Sequence, residues 1–135
     1  MLKPFAIALV GMLLLASCAT PPSAEELANA DYGSYPNDYK KIVKSYMQGI
    51  LKDPGSAQYR LLKSPRQVWA SYFGPVQYGY ATCYAINAKN SFGGYTGEKT
   101  HYILIKNDVV IKHVYGKGGQ YDIGESTARK GCSTF

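Results

Sequence analysis

The stretch from His101 to Tyr115, HYILIKNDVVIKHVY, decides the fold. Both halves are rich in β-branched and aromatic residues, and the Asn107-Asp108 dipeptide between them suits a two-residue hairpin turn. In the register such a turn sets, Lys106 pairs with Val109, Leu104 with Ile111 and Tyr102 with His113. One face then carries Tyr102, Leu104, Val109, Ile111, His113 and Tyr115. The other carries His101, Ile103, Ile105, Val110, Lys112 and Val114. Both faces are substantially apolar, whereas a sheet with one wet face alternates cleanly between apolar and polar. The hairpin is therefore expected to be covered on both sides, by a helix on one and by the C-terminal tail, another strand layer or a partner on the other. In this register the two histidines point to opposite faces and cannot share a metal; a slip of one residue reverses that.

The helix lies upstream. From Asn37 to Lys52, the residues Tyr39, Ile42, Val43, Tyr46, Met47, Ile50 and Leu51 recur at helical spacing and form one apolar stripe. Asn37 or Asp38 can cap its start, and Asp53-Pro54-Gly55-Ser56 ends it in a tight turn. From Ala57 onward the period changes to that of strands. Gln58 to Leu62 and Gln67 to Phe73 are short candidates, and Val76 to Ala88 is the longest. In that long strand Tyr78, Tyr80, Thr82, Tyr84 and Ile86 alternate with Gly79, Ala81, Cys83 and Ala85, so a helix can lie close against the small face. Gly116 to Phe135 is Gly-rich and expected to be irregular, with a helical turn at Glu125 to Lys130. The expected fold is α+β: one amphipathic helix packed on an antiparallel sheet of about four strands, with a Gly-rich C-terminal tail.

The N-terminus carries a different signal. Lys3 precedes the apolar run Phe5 to Leu15, which is far shorter than the ~20 residues a membrane-spanning helix needs. Such a run reads as an export signal. Leu15-Ala16-Ser17-Cys18 resembles the lipobox of bacterial lipoproteins. That resemblance implies diacylglyceryl transfer to the Cys18 sulfur, cleavage before Cys18 and acylation of the new amino terminus; an ordinary secretory signal with an incidental cysteine is the alternative. Ala19 at the next position implies, by lipoprotein sorting rules, the outer membrane. The expected organisation is a signal peptide over residues 1–17, a flexible tether over 18–34 and a single domain over 35–135. Ser23 to Asn29 can form a brief helical turn within the tether.

Charge and cysteines narrow the function classes. The formal charge is +6, with one positive charge on Lys3 of the leader, and the lysines are scattered. Anionic lipid or lipopolysaccharide, an acidic wall polymer or an acidic protein suits such a surface; an exported protein does not meet nucleic acid. Cys83 and Cys132 remain once Cys18 is assigned to lipid, and in an oxidising compartment one disulfide between them is the economical reading, with two free thiols as the alternative. No CxxC pairing suggests a metal site, and no cofactor motif is present. No nucleophile elbow accompanies the histidines. Glu98, Asp122 and Glu125 are the late carboxylates that a glycan hydrolase would have to bring into one cleft. An enzyme is not expected.

One stretch stands out for recognition: Asn87-Ala88-Lys89-Asn90-Ser91-Phe92-Gly93-Gly94-Tyr95-Thr96-Gly97. Its glycines and asparagines permit unusual backbone angles, Phe92 and Tyr95 offer aromatic contacts, and Lys89 adds charge. It reads either as a binding loop or as a long hairpin connection whose aromatics fold back on the sheet. Together with Leu51-Lys52-Asp53-Pro54-Gly55-Ser56-Ala57 and Cys83, it resembles a pattern in a family of small proteobacterial lipoproteins and periplasmic proteins with no assigned activity. In architecture the chain is also similar to the small lipoprotein of the outer-membrane barrel-assembly machine. These resemblances imply an anchored envelope lipoprotein, facing the periplasm, that binds or scaffolds another envelope protein of the secretion or assembly machinery. An inhibitor of a wall-degrading enzyme such as lysozyme is the alternative.

Overall fold

The computed structural model describes residues 20–135. The lipid-attachment candidate Cys18 and the signal segment 1–17 lie outside the described residues. In chain order the elements are α1 (Ala24–Asn29), α2 (Tyr39–Gln48), a 3-10 turn (Pro54–Ser56), β1 (Gln58–Ala70), β2 (Gln77–Asn87), β3 (Lys99–Lys106), β4 (Val109–Tyr115) and α3 (Ile123–Ser133). The four strands form one antiparallel meander in the order β1-β2-β3-β4. The fold is α+β, as the change of hydrophobic period along the chain requires. Among the described residues no helix is long and apolar enough to cross a membrane.

Each face of the sheet carries a helix. Val43 and Met47 of α2 pack on Tyr84, Ile86, Ile103 and Ile105. On the opposite face Ala128 and Cys132 of α3 pack on Ala81, Cys83, Tyr102, Leu104 and Val114. The small side chains of β2 let α3 approach closely. A Cβ at Gly131 would stand 2.9 Å from the Tyr102 ring, so only glycine fits there without displacing a buried aromatic. Cys83 and Cys132 are joined by a disulfide with Cα atoms 6.0 Å apart, which ties α3 to the centre of the sheet. The tail is thus more ordered than its glycine content suggests: it supplies the second covering layer as an 11-residue helix whose N-cap, Asp122, accepts from the Glu125 N–H at 3.1 Å.

Two further departures from the sequence reading have local causes. The separate strand candidates at 58–62 and 67–73 are one edge strand, β1, whose pairing with β2 slips between Leu61 and Lys63 and again between Lys63 and Arg66. Pro65 falls within the second slip, where an edge strand tolerates a residue without an N–H. The β3–β4 hairpin begins as expected, with Lys106 opposite Val109 and with Asn107 and Asp108 both at positive φ (50° and 61°), as a type I′ turn demands. Beyond Ile105 and Val110 the register shifts: Leu104 faces Lys112 and Ile103 faces His113, with Ile111 as the extra residue of a β-bulge. The bulge leaves Val110 in the α2 core and brings Val114 into the α3 core, so both layers keep a valine.

The segment ahead of α2 also touches the sheet. Tyr32 packs edge-on against Tyr78 (5.6 Å between ring centres), and Tyr35 packs likewise against Tyr80 (5.4 Å). Asp31 pairs with Lys106 at 3.0 Å, and the Ser34 N–H donates to the Asn107 side chain at 3.4 Å. The stretch read as tether thus already touches the domain at Asp31, Tyr32 and Ser34. This contact is made at the pole of the sheet that holds the 107–108 turn.

Candidate functional site

The 87–97 loop joins β2 to β3 at the other pole of the sheet. It is not slack. The Asn87 side chain accepts from the Gly97 N–H at 3.1 Å and closes the base. Lys89 and Tyr95 pair as an isolated bridge, and the Thr96 N–H donates to the Ala88 carbonyl at 3.3 Å. Asn90 organises the tip: its side-chain oxygen accepts from the Phe92 and Gly94 amides (2.9 and 3.2 Å), while its own N–H donates to the Gly94 carbonyl at 2.8 Å. An Asx turn of this kind fixes backbone that would otherwise be free. Gly93 completes it at φ +79°, in the left-handed region.

The two aromatics have opposite fates. Tyr95 folds back: its hydroxyl donates to the Ser56 carbonyl at 3.0 Å, and the Lys89 ammonium sits 5.4 Å from its ring centre. The Lys89 N–H in turn donates to the Ser56 hydroxyl at 2.9 Å, so the loop is pinned to the 3-10 turn that follows α2. Phe92 does not fold back. It is 97% exposed at the tip, the most exposed large apolar side chain among the described residues. The two aromatics of the loop thus differ, Tyr95 folded back on the 3-10 turn and Phe92 left exposed at the tip.

The histidines are closer than the turn register implies. The bulge at Ile111 places His113 on the face of His101, and their Nδ1 and Nε2 atoms lie 2.8 Å apart. This corrects the expectation of opposite faces; the one-residue slip that reverses it is the one the bulge introduces. Tyr115 stacks on both rings and Tyr46 of α2 meets His113 edge-on. His101 is 3% exposed. Burial pushes its pKa down to about 4, helped by the nearby Lys99 charge. Burial likewise pushes His113 down to about 3, helped by His101. Both rings are therefore neutral near pH 7, one donating to the other. No third His, Cys, Asp or Glu joins them among the described residues.

The late carboxylates are held by other partners. Glu98 makes a two-pronged contact with Arg60 of β1 (3.0 and 2.7 Å). Asp122 accepts from the Gly118 and Glu125 amides at the start of α3. Glu125 accepts from the Thr100 N–H and pairs with Arg129 at 2.7 Å. Glu98 is thus engaged with β1, whereas Asp122 and Glu125 are held at the start of α3.

No family model, curated protein or solved structure matches the chain. The reading of the site accordingly stands on its geometry. The histidine pair was not found from sequence, and of the α3 layer only a helical turn at Glu125 to Lys130 and the tail as one possible cover were. The adjacent polar side chains at Lys112 and His113 in an otherwise apolar strand were the available hint of a bulge.

Proposed function

We propose that this chain is an envelope lipoprotein, acylated at Cys18 and held at the outer membrane facing the periplasm, whose domain is a non-enzymatic docking module for another envelope protein. The observation that carries the reading is Phe92, fully presented at the tip of a loop that hydrogen bonds hold rigid. An exposed phenylalanine gains about 1.5–3 kcal/mol on entering a partner's apolar pocket. A pre-ordered loop loses little conformational freedom when it does so.

The placement of the loop adds support. The N-terminal segment meets the domain at the 107–108 pole, where Asp31 and Ser34 contact Lys106 and Asn107. The loop lies at the opposite pole, about 24 Å away along the eight residues of β3 at about 3.4 Å each. A domain attached through its N-terminus thus carries Phe92 on the side away from the attachment. That geometry suits a partner standing in the periplasm better than one lying in the same membrane plane.

The test is recovery of the partner. Affinity purification from solubilised membranes after mild crosslinking should yield a defined envelope protein, and Phe92→Ala should reduce its recovery about tenfold without altering the unfolding midpoint. Equal recovery with Phe92→Ala removes the loop as the contact. Recovery of the chain alone removes the docking reading.

A further inference from the structure

Beside the loop, a cleft of about 330 Å³ opens between the C-terminal end of α2, the base of the loop and the residues that follow β4. Four lysines line it: Lys52 after α2, Lys89 in the loop, Lys99 at the start of β3 and Lys117 after β4. No lining residue is acidic. Asp53, which follows Lys52, is not among the residues that line the cleft, and two other acids near these lysines in sequence are committed elsewhere. Glu98, next to Lys99, is held by Arg60, and Asp122 at the start of α3 accepts backbone amides at Gly118 and Glu125. The backbone amides of Gly118 and Glu125 hold the Asp122 carboxyl below its ordinary range, with a smaller contribution from the Lys99 charge. None of the four lysines has a carboxylate within ion-pair distance among the described residues, because the ion pairs present engage Arg60, Lys106 and Arg129. Leu51 and Tyr115 supply apolar wall.

We propose that this cleft binds a phosphate ester of a small polyol or sugar, with the lysines around the phosphate and the carbon skeleton against Leu51 and Tyr115. Like charges gathered around a walled cavity concentrate an anion there more strongly than the same charges spread over a convex surface. The volume exceeds that of a bare phosphate and falls at the lower end of the range of small-molecule sites. The cleft shares the pole of the Phe92 loop, away from the N-terminal attachment, so it faces soluble or polymer-borne esters before the headgroups of the anchoring membrane. The inference does not depend on the docking reading, since Phe92 is not part of the cleft.

Amide chemical shifts of the full chain in nonionic detergent micelles test it. The probes are glycerol 1-phosphate, uncharged glycerol, and micelles doped with phosphatidylglycerol or phosphatidylcholine. At about 150 mM salt, where exposed charges are screened beyond about 8 Å, glycerol 1-phosphate should shift amides at Lys52, Lys89, Lys99 and Lys117 saturably, and glycerol should not. Lys99→Glu with Lys117→Glu should weaken that binding at least about tenfold, whereas Phe92→Ala should leave it unchanged. Cleft-centred shifts only with phosphatidylglycerol micelles keep the site and assign it to a lipid headgroup. Shifts spread equally over Lys40, Lys41 and Lys44 of α2, or no cleft-centred shift in either arm, overturn the proposal.

Discussion

His101 and His113 form a buried pair whose protonation couples to folding. Their folded pKa values lie near 4 and 3, below the ordinary 6.5, because burial disfavours the charged rings. The unfolded chain takes up protons near pH 6.5, while the folded chain does not until far lower. Their contribution to stability is therefore complete above pH 6.5 and is lost as pH falls through 6.5 toward 4 and then 3, at about 1.4 kcal/mol per unit for each ring. Denaturant midpoints between about pH 7 and pH 4 should show this decline, and the His101→Phe/His113→Phe double variant should flatten it; an equally steep profile in the variant would place the acid sensitivity on carboxylates. Tyr84 makes a second case. Its hydroxyl is buried against the α2 layer with no hydrogen-bond partner among the described residues. Tyr84→Phe should therefore raise stability by about 1 kcal/mol, readable as a higher thermal midpoint; a loss of stability would show that the hydroxyl is satisfied in solution. The apolar character of both hairpin faces was legible in the sequence, but the histidine pair was not. A bulge at Ile111 depends on two cores competing for Val110 and Val114, which no turn rule expresses.

Among the elements, α3 and the 87–97 loop carry most of what distinguishes this meander from a bare one. The sequence showed a helical turn at Glu125 to Lys130 but not the full extent of α3, because glycine, serine and threonine, residues of poor helix propensity, occupy many of its positions. The sheet explains the choice, since small side chains let the helix sit against Tyr102. Gly131→Ala should therefore destabilise the domain by about 1–3 kcal/mol through overpacking, although alanine is the better helix former in isolation. A stabilising outcome would mean that α3 stands further from the sheet than the 2.9 Å approach implies. The amphipathic stripe of α2, by contrast, was legible from Tyr39 to Met47, although the helix ends at Gln48, before Ile50 and Leu51, and the Asp38 side chain makes no capping hydrogen bond. For the loop, the sequence showed unusual backbone needs but not which aromatic would stay out; that depended on Ser56, distant in sequence, offering Tyr95 and Lys89 their anchors. Asn90→Ala should speed hydrogen exchange at the Phe92 and Gly94 amides while leaving exchange in β2 and β3 unchanged. Unchanged exchange at the tip would show that the Asx turn is not what orders it.

At the scale of the whole molecule, two helices clamp one sheet, a disulfide fastens the second helix, and the two poles differ. The cysteine pairing, spaced 49 residues apart, was legible in the sequence by counting, since setting Cys18 aside leaves one pair. In the chain-entropy model its loss removes about 4 kcal/mol, so Cys83→Ser with Cys132→Ser should shift the unfolding midpoint sharply and release α3 first in exchange experiments. The polarity of the molecule was less legible, since it needs both the docking of Asp31 and Ser34 at the 107–108 turn and the rigidity of the loop at the far end. The central claim is that this far pole meets a partner through Phe92. A photo-crosslinking phenylalanine analogue at position 92, irradiated in intact native cells, tests it most directly, with the same analogue at Lys40 on the outer face of α2 as reference. The account predicts a discrete protein adduct from position 92 and none from position 40; the same faint adducts from both positions, or none from 92, would contradict it.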